Sequence, residues 1–151
     1  MTGAELPPFP RPGALPYLTV ADARDAIAWY AEVFDAELHG EPYVMPDDRI
    51  GHAELSIGAG TIYLADEFPD HGVVASDPDR VSVSLMIPVA DTDATLERAR
   101  ARGATRIREP YEEYGGRNAC FVDPFGHRWM LYGAARRERG TSGSTSATDD
   151  Q

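Results

Sequence analysis

Apolar positions along this chain follow two rhythms that succeed each other in a fixed order. Leu18 and Val20 alternate with Tyr17 and Thr19, as a strand with one covered face requires. The rhythm then lengthens: Ile27, Tyr30 and Phe34 recur at helical spacing on one face. Asp22 can accept from the free amides of the first turn, and Asp25 adds negative charge where the helix dipole favours it. Further on, Asp91 or Thr92 can cap a second helix whose Leu96 and Ala99 face a sheet. Gly103 suits the left-handed position at its end. The remaining apolar stretches alternate at a period of two.

The order repeats. Val20-Ala21-Asp22 and Val89-Ala90-Asp91 stand 69 residues apart, and each follows an apolar strand and opens a helix. GHAELSIGAGTIYLAD finds its partner in RNACFVDPFGHRWMLYG at an offset near 67. Two matches at nearly one offset make the chain two copies of one unit, each a strand, a helix and three strands. The units span about 14–66 and 81–133 and make a single α+β domain over 14–133. The acidic, Pro-containing stretch 66–80 between them suits a surface crossover or a lid.

If helices cover one side of each sheet, the apolar member of each alternation belongs there: Leu18 and Val20; Ala53, Leu55 and Ile57; Ile62 and Leu64; Val83, Leu85 and Ile87; Trp129 and Leu131. The opposite side then holds Leu15, Tyr17 and Thr19; His52, Glu54 and Ser56; Tyr63; Ser82, Ser84 and Met86; Arg128, Met130 and Tyr132. In the strand that follows Tyr114-Gly115-Gly116, the same reasoning puts Arg117, Ala119 and Phe121 on that side as well. Aromatic walls with a few polar groups describe a binding pocket better than a solvent-facing sheet.

Composition narrows the function. The 151 residues are enough for a real core. The formal charge of −11, with every basic residue an arginine, disfavours nucleic acid. No apolar run approaches the length of a membrane span, and the expected location is the cytoplasm. The lone Cys120 excludes an internal disulfide and reads as a buried structural thiol. Residues 1–13 read as an extended Pro-rich leader, and the small polar residues of 134–151 read as a disordered tail.

The two strand-helix-three-strand units, the paired Val-Ala-Asp helix starts and Asp123-Pro124-Phe125-Gly126-His127-Arg128-Trp129 resemble the glyoxalase/bleomycin-resistance/extradiol-dioxygenase superfamily. The wording is most similar to its bacterial glyoxalase-like branch related to the phosphonate-operon protein. The resemblance covers roughly Ala14 to Gly133. It implies two βαβββ units curled into a cupped mixed sheet with helices outside, and a homodimer whose cavities draw on both chains. It also implies four metal-ligand positions in the metal-dependent members, which fall here on Leu15, Tyr63, Ser84 and Met130. Those residues cannot supply the nitrogen and oxygen donors of a divalent site.

The expectation is therefore a protein with no metal and no cofactor that binds a small molecule. His52 and Glu54, two residues apart on one strand face, form a pair that orients a ligand or moves a proton. Tyr17, Ser56, Tyr63, Ser84, Arg117, Phe121, Arg128, Met130 and Tyr132 are expected to line the cup. Arg117 and Arg128 can grip an anion in a forked geometry, or pair with Glu54 or the Glu112-Glu113 loop; for Arg128 the ion pair is favoured. Two other readings stand beside sequestration of an antibiotic or metabolite. One is a metal-independent isomerase, lyase or cyclase using His52 and Glu54; the other is a metal-dependent lyase or dioxygenase with a displaced ligand set.

Overall fold

Asp22 and Asp91 do what their positions require. Asp22 Oδ1 accepts from the Asp25 amide at 3.0 Å and opens α1 (Ala23–Phe34). Asp91 Oδ1 accepts from the Ala94 amide at 3.0 Å and opens α2 (Thr92–Ala101). The computed structural model describes residues 13–136, so the expected leader and tail lie almost wholly outside the described residues.

Before α1 comes β1 (Tyr17–Val20). After it come the two-residue strands β2 (Glu37–Leu38) and β3 (Tyr43–Val44), then β4 (Ile50–Ile57) and β5 (Gly60–Asp66). These form one sheet in the order β1-β5-β4-β2, with β3 also on β4. The second unit is β6 (Ser84–Pro88), α2, β7 (Thr105–Glu113), β8 (Gly116–Val122) and β9 (Arg128–Ala134), in the order β6-β9-β8-β7. In each sheet the first strand runs parallel to the last and the other pairings are antiparallel. The single third strand expected in the first unit is split into β2 and β3. Gly40, at φ 63°, and Pro42, which has no amide to donate, fall in the gap.

Helix α1 lies over β4 and β5, and α2 over β7, β8 and β9. The helix-covered sides share one core. Trp29, Tyr30 and Phe34 of α1 pack edge-on, tilted or stacked against Phe121, Phe125 and Trp129 of the second unit. The Asp-Pro-Phe-Gly turn fastens this junction. Asp123, fully buried, accepts from Tyr30 Oη at 2.5 Å, Trp129 Nε1 at 2.8 Å and the amides of Phe125 and His127. His127 reaches the Thr19 carbonyl of β1 through Nε2 at 3.1 Å and so ties the turn to the first sheet. Gly126 must be glycine twice over: its φ is 89°, and a Cβ there would meet the Ser76 carbonyl oxygen at 2.2 Å.

The expected helix-side residues are in the core or packed on it, apart from Val83, which precedes β6 and is 67% exposed. Phe121 and Arg117 are corrections. Phe121 pairs with Trp129 and Ala119 with Leu131, and directly paired residues share a face. Both therefore lie under the helices, and Phe121 is fully buried among Trp29 and Phe34. Both faces of β8 are covered, which erases the alternation that betrays the inner face of other strands.

Candidate functional site

The open side of the first sheet is built by β1, β5 and β4 lying side by side. Register sets Tyr17 opposite Tyr63, and Tyr63 opposite Glu54, while Tyr43 of β3 lies beside His52. Tyr63 is buried even on this open face, because Tyr17 stands edge-on to it at 5.6 Å and the His52 ring lies 4.8 Å away. Tyr17 Oη and His52 Nδ1 are 2.6 Å apart, with the Gly51 carbonyl a longer 3.3 Å from the same hydroxyl. The other ring nitrogen, Nε2, is 3.2 Å from Glu54 Oε1. Burial first, then the neighbouring Tyr63 and Glu54, raises the Tyr17 phenol above its ordinary range. At the edge, Ser56 hydrogen-bonds His39, a residue the sequence reading assigned no role.

The open side of the second sheet differs. Met86, Met130, Cys120 and Arg108 form one cross-strand row, each opposite the next. Cys120 is buried, as expected, but on this face rather than among the helices, with Tyr111 beside it. The Arg108 guanidinium lies 3.6 Å over the Tyr111 ring. Arg128 donates from Nη1 to Ser84 Oγ at 2.8 Å. It makes no ion pair among the described residues, so the expected partner, Glu54 or the Glu112-Glu113 loop, is replaced by a neutral hydroxyl. Tyr132 is 37% exposed, and its hydroxyl reaches the Tyr114 carbonyl.

Arg117 belongs to a different structure. Its fork closes on Asp93 in the first turn of α2, Nε to Oδ2 at 2.5 Å and Nη2 to Oδ1 at 2.9 Å. Hydrogen bonding to Arg117 holds the Asp93 carboxyl below the usual carboxylate range, and the same bond pushes the guanidinium up. A guanidinium already clamped on the helix side is not a ligand fork on the open face.

The sequence reading brought together Tyr17, His52, Glu54, Ser56 and Tyr63 on one sheet, and Ser84, Arg128, Met130 and Tyr132 on the other. It passed over Arg108 and Tyr111, because β7 slips register twice against β8 and no simple alternation carries along it, while Cys120 was turned to the wrong side together with its β8 neighbours. It also left Met86 out of the site. Here a signal existed: Met86 stands three residues before Val89, as Tyr17 stands three before Val20. The same register sets Tyr17 against Tyr63 and Met86 against Met130, while Ser84 faces Arg128 and Leu15 precedes β1.

A divalent ion needs three or four nitrogen, oxygen or thiolate donors. The positions in question offer phenols, a hydroxyl, thioethers and Leu15, and among the described residues no three His, Cys, Asp or Glu side chains converge. The donor set does not fit a divalent metal.

Two βαβββ units with a shared helix-side core and two open, partly aromatic sheet faces define a paired-unit α+β protein. The chain belongs to the glyoxalase/bleomycin resistance protein/dioxygenase superfamily, whose family model matches residues 14–131. An uncharacterised protein of Mycobacterium bovis, Mb0911c, is 36% identical over 126 residues, covering 80% of this chain and 82% of that one. Among solved structures, a bleomycin-binding protein complexed with bleomycin is similar in fold. Its TM-score is 0.55 at 20% identity, over 82% of this chain and 98% of that one. FosX, the genomically encoded fosfomycin resistance protein of Listeria monocytogenes, complexed with Mn(II) and sulfate, matches with TM-score 0.61. It is 18% identical, over 82% of this chain and 90% of that one. Among the described residues no helix is long and apolar enough to cross a membrane.

Proposed function

We propose that this protein binds an organic small molecule against the open faces of its two sheets, without a divalent metal, and that a second copy of the chain closes over them. One observation carries the proposal. The faces turned away from the core expose Tyr17 (52%) and Met86 (64%), with Tyr63, Met130 and Tyr132 beside them. A handful of polar groups, His52, Glu54, Ser84 and Arg128, is set among them. Ordinary solvent faces do not bury an aromatic ring such as Tyr63 between a second phenol and an imidazole.

Each face has a separate task in this reading. The thioethers of Met86 and Met130 form a deformable apolar floor, and Arg128 offers its remaining donors to a carboxylate or phosph(on)ate. The first face supplies aromatic edges and the His52–Glu54 pair. Arg108 and Arg128 on one face and Glu54 on the other make the two complementary in charge, which supports apposition of one unit with the other unit of a second copy. The fold shared with a bleomycin-binding protein supports an antibiotic or a metabolite as ligand class.

The test is a thermal-shift screen of the full chain against amphipathic antibiotics and aromatic acids, run with EDTA present throughout. A compound that raises the melting temperature of wild type and not of Met130→Glu supports the reading. Stabilisation that requires an added divalent metal, or that survives in both Met130→Glu and Tyr63→Ala, contradicts it.

A further inference from the structure

Three side chains on the first open face form a continuous hydrogen-bonded chain. Tyr17 is on β1, and His52 and Glu54 are on β4, with β5 between them. The ring of Tyr63 from β5 lies against both Tyr17 and His52. With Glu54 ionised and the imidazole neutral, the partners set where the protons sit. An ionised carboxylate only accepts, so the hydrogen between His52 Nε2 and Glu54 Oε1, 3.2 Å apart, belongs to the ring. In the neutral imidazole the other nitrogen then carries a lone pair. Across the 2.6 Å contact, the Tyr17 hydroxyl is the donor and Nδ1 the acceptor. The order is a hydroxyl, a base within hydrogen-bond reach, and a carboxylate that orients the base.

We propose that Tyr17 is a proton-transfer residue of this face, with His52 as its base and Glu54 as the residue that positions His52. The step it serves is removal of a weakly acidic O–H or C–H proton from a bound ligand. That proton goes to Tyr17 Oη while the phenolic proton moves to His52 Nδ1. The products are a ligand anion and an imidazolium beside the Glu54 carboxylate; two proton transfers carry a net one proton from ligand to His52, charge is balanced, and no electron changes hands.

Tyr17 borders two hollows. One, of about 340 Å³, is also lined by Pro16, Ser82, Val83 and Leu85. The other, of about 280 Å³, is also lined by Thr19, Ala65, Phe68 and Val73. A ligand in either lies beside Tyr17. The raised phenol range means that free tyrosinate is scarce at neutral pH, so deprotonation runs through His52. The inference takes the first open face as a ligand face, as proposed above. Its test uses no natural ligand, so its failure and the failure of the binding reading are read separately.

The probe is benzenesulfonyl fluoride on the full chain, with labelled peptides quantified by mass spectrometry. Labelling joins Tyr17 Oη to sulfur, releases fluoride and passes the phenolic proton to His52. Tyr114 is the internal reference, because it is 83% exposed against 52% for Tyr17. Accessibility alone makes Tyr17 the slower of the two. The proposal predicts that Tyr17 is labelled at least tenfold faster than Tyr114. It also predicts that His52→Gln, melting like wild type, brings it to the Tyr114 rate or below, and that Glu54→Gln slows it severalfold.

The pH profile of wild type gives a second measurement that needs no variant. Among the described residues, the titratable groups facing Tyr17 and His52 are Glu54, Tyr63 and Tyr43, with His127 and Asp66 lining the two hollows that Tyr17 borders. Tyr17 labelling should rise and then level off as pH increases, while Tyr114 labelling keeps climbing. Equal rates at Tyr17 and Tyr114, a folded His52→Gln variant with an unchanged rate, or matching pH profiles would each overturn the proposal.

Discussion

The two units share a backbone plan and solve the same local problem with different side chains. In the first, Asp66 at the end of β5 accepts from the Ala23 amide of α1 and the Ile50 amide of β4, both at 2.7 Å. In the second, the corresponding place in β9 is Gly133, and a Cβ there would meet Thr92 Oγ1 at 2.3 Å. Thr92, which begins α2, makes the connection itself by donating from Oγ1 to the Arg117 carbonyl at 2.6 Å. One anchor comes from the sheet and the other from the helix. The open faces diverge in the same way: Tyr17, Tyr63 and Glu54 form the row in one sheet, Met86, Met130 and Cys120 in the other. What the repeat preserves is geometry, and the chemistry on it is free to differ.

The anchors give the sharpest way to break that comparison. Asp66→Ala strands two buried amides and should cost about 3 kcal/mol in chemical denaturation. Thr92→Val, which removes one hydrogen bond and keeps the shape, should cost about 1 kcal/mol. Equal losses would contradict this difference between the two anchors. Between the units, Tyr30→Phe removes one of four donors to buried Asp123 and should cost about 1.5 kcal/mol. A loss near zero would show that the turn does not depend on α1.

The smallest effect is at the helix-side ion pair. Asp93 has a depressed carboxyl range in the folded chain, so its contribution is present above the unfolded carboxylate value and is lost as pH falls through the folded one. Asp93→Asn should lower the melting temperature by about 3 °C at neutral pH. The difference from wild type should shrink below about pH 4. A difference that persists at pH 2 would assign the effect to helix capping geometry instead of charge.

Much of this was legible in the chain. The paired Val-Ala-Asp helix starts gave both caps, and the repeat gave the two units of one fold. Alternation gave most of the two faces, including the neighbourhood of Tyr17, His52, Glu54 and Tyr63. Arg117 and Phe121 went to the wrong face because β8 is covered on both sides. The correct face could have been read from the turn: once Trp129 is placed under a helix, antiparallel pairing across Asp-Pro-Phe-Gly puts Phe121 there too. The 2.6 Å link between Tyr17 and His52 has no such sequence signature, since it spans two strands separated by a third. Nor does the stacking of Arg108 on Tyr111, which follows from slips in β7.

The central claim is that the open faces hold an organic ligand with donors unsuited to a divalent metal. It is tested most directly by elemental analysis of the full chain, purified without chelator from cells grown in medium containing zinc, nickel, iron and manganese. The account predicts well under one tenth of an equivalent of any of these metals per chain, and a melting temperature unchanged by EDTA. Close to one equivalent of a single metal, lost to EDTA together with stability, would contradict it.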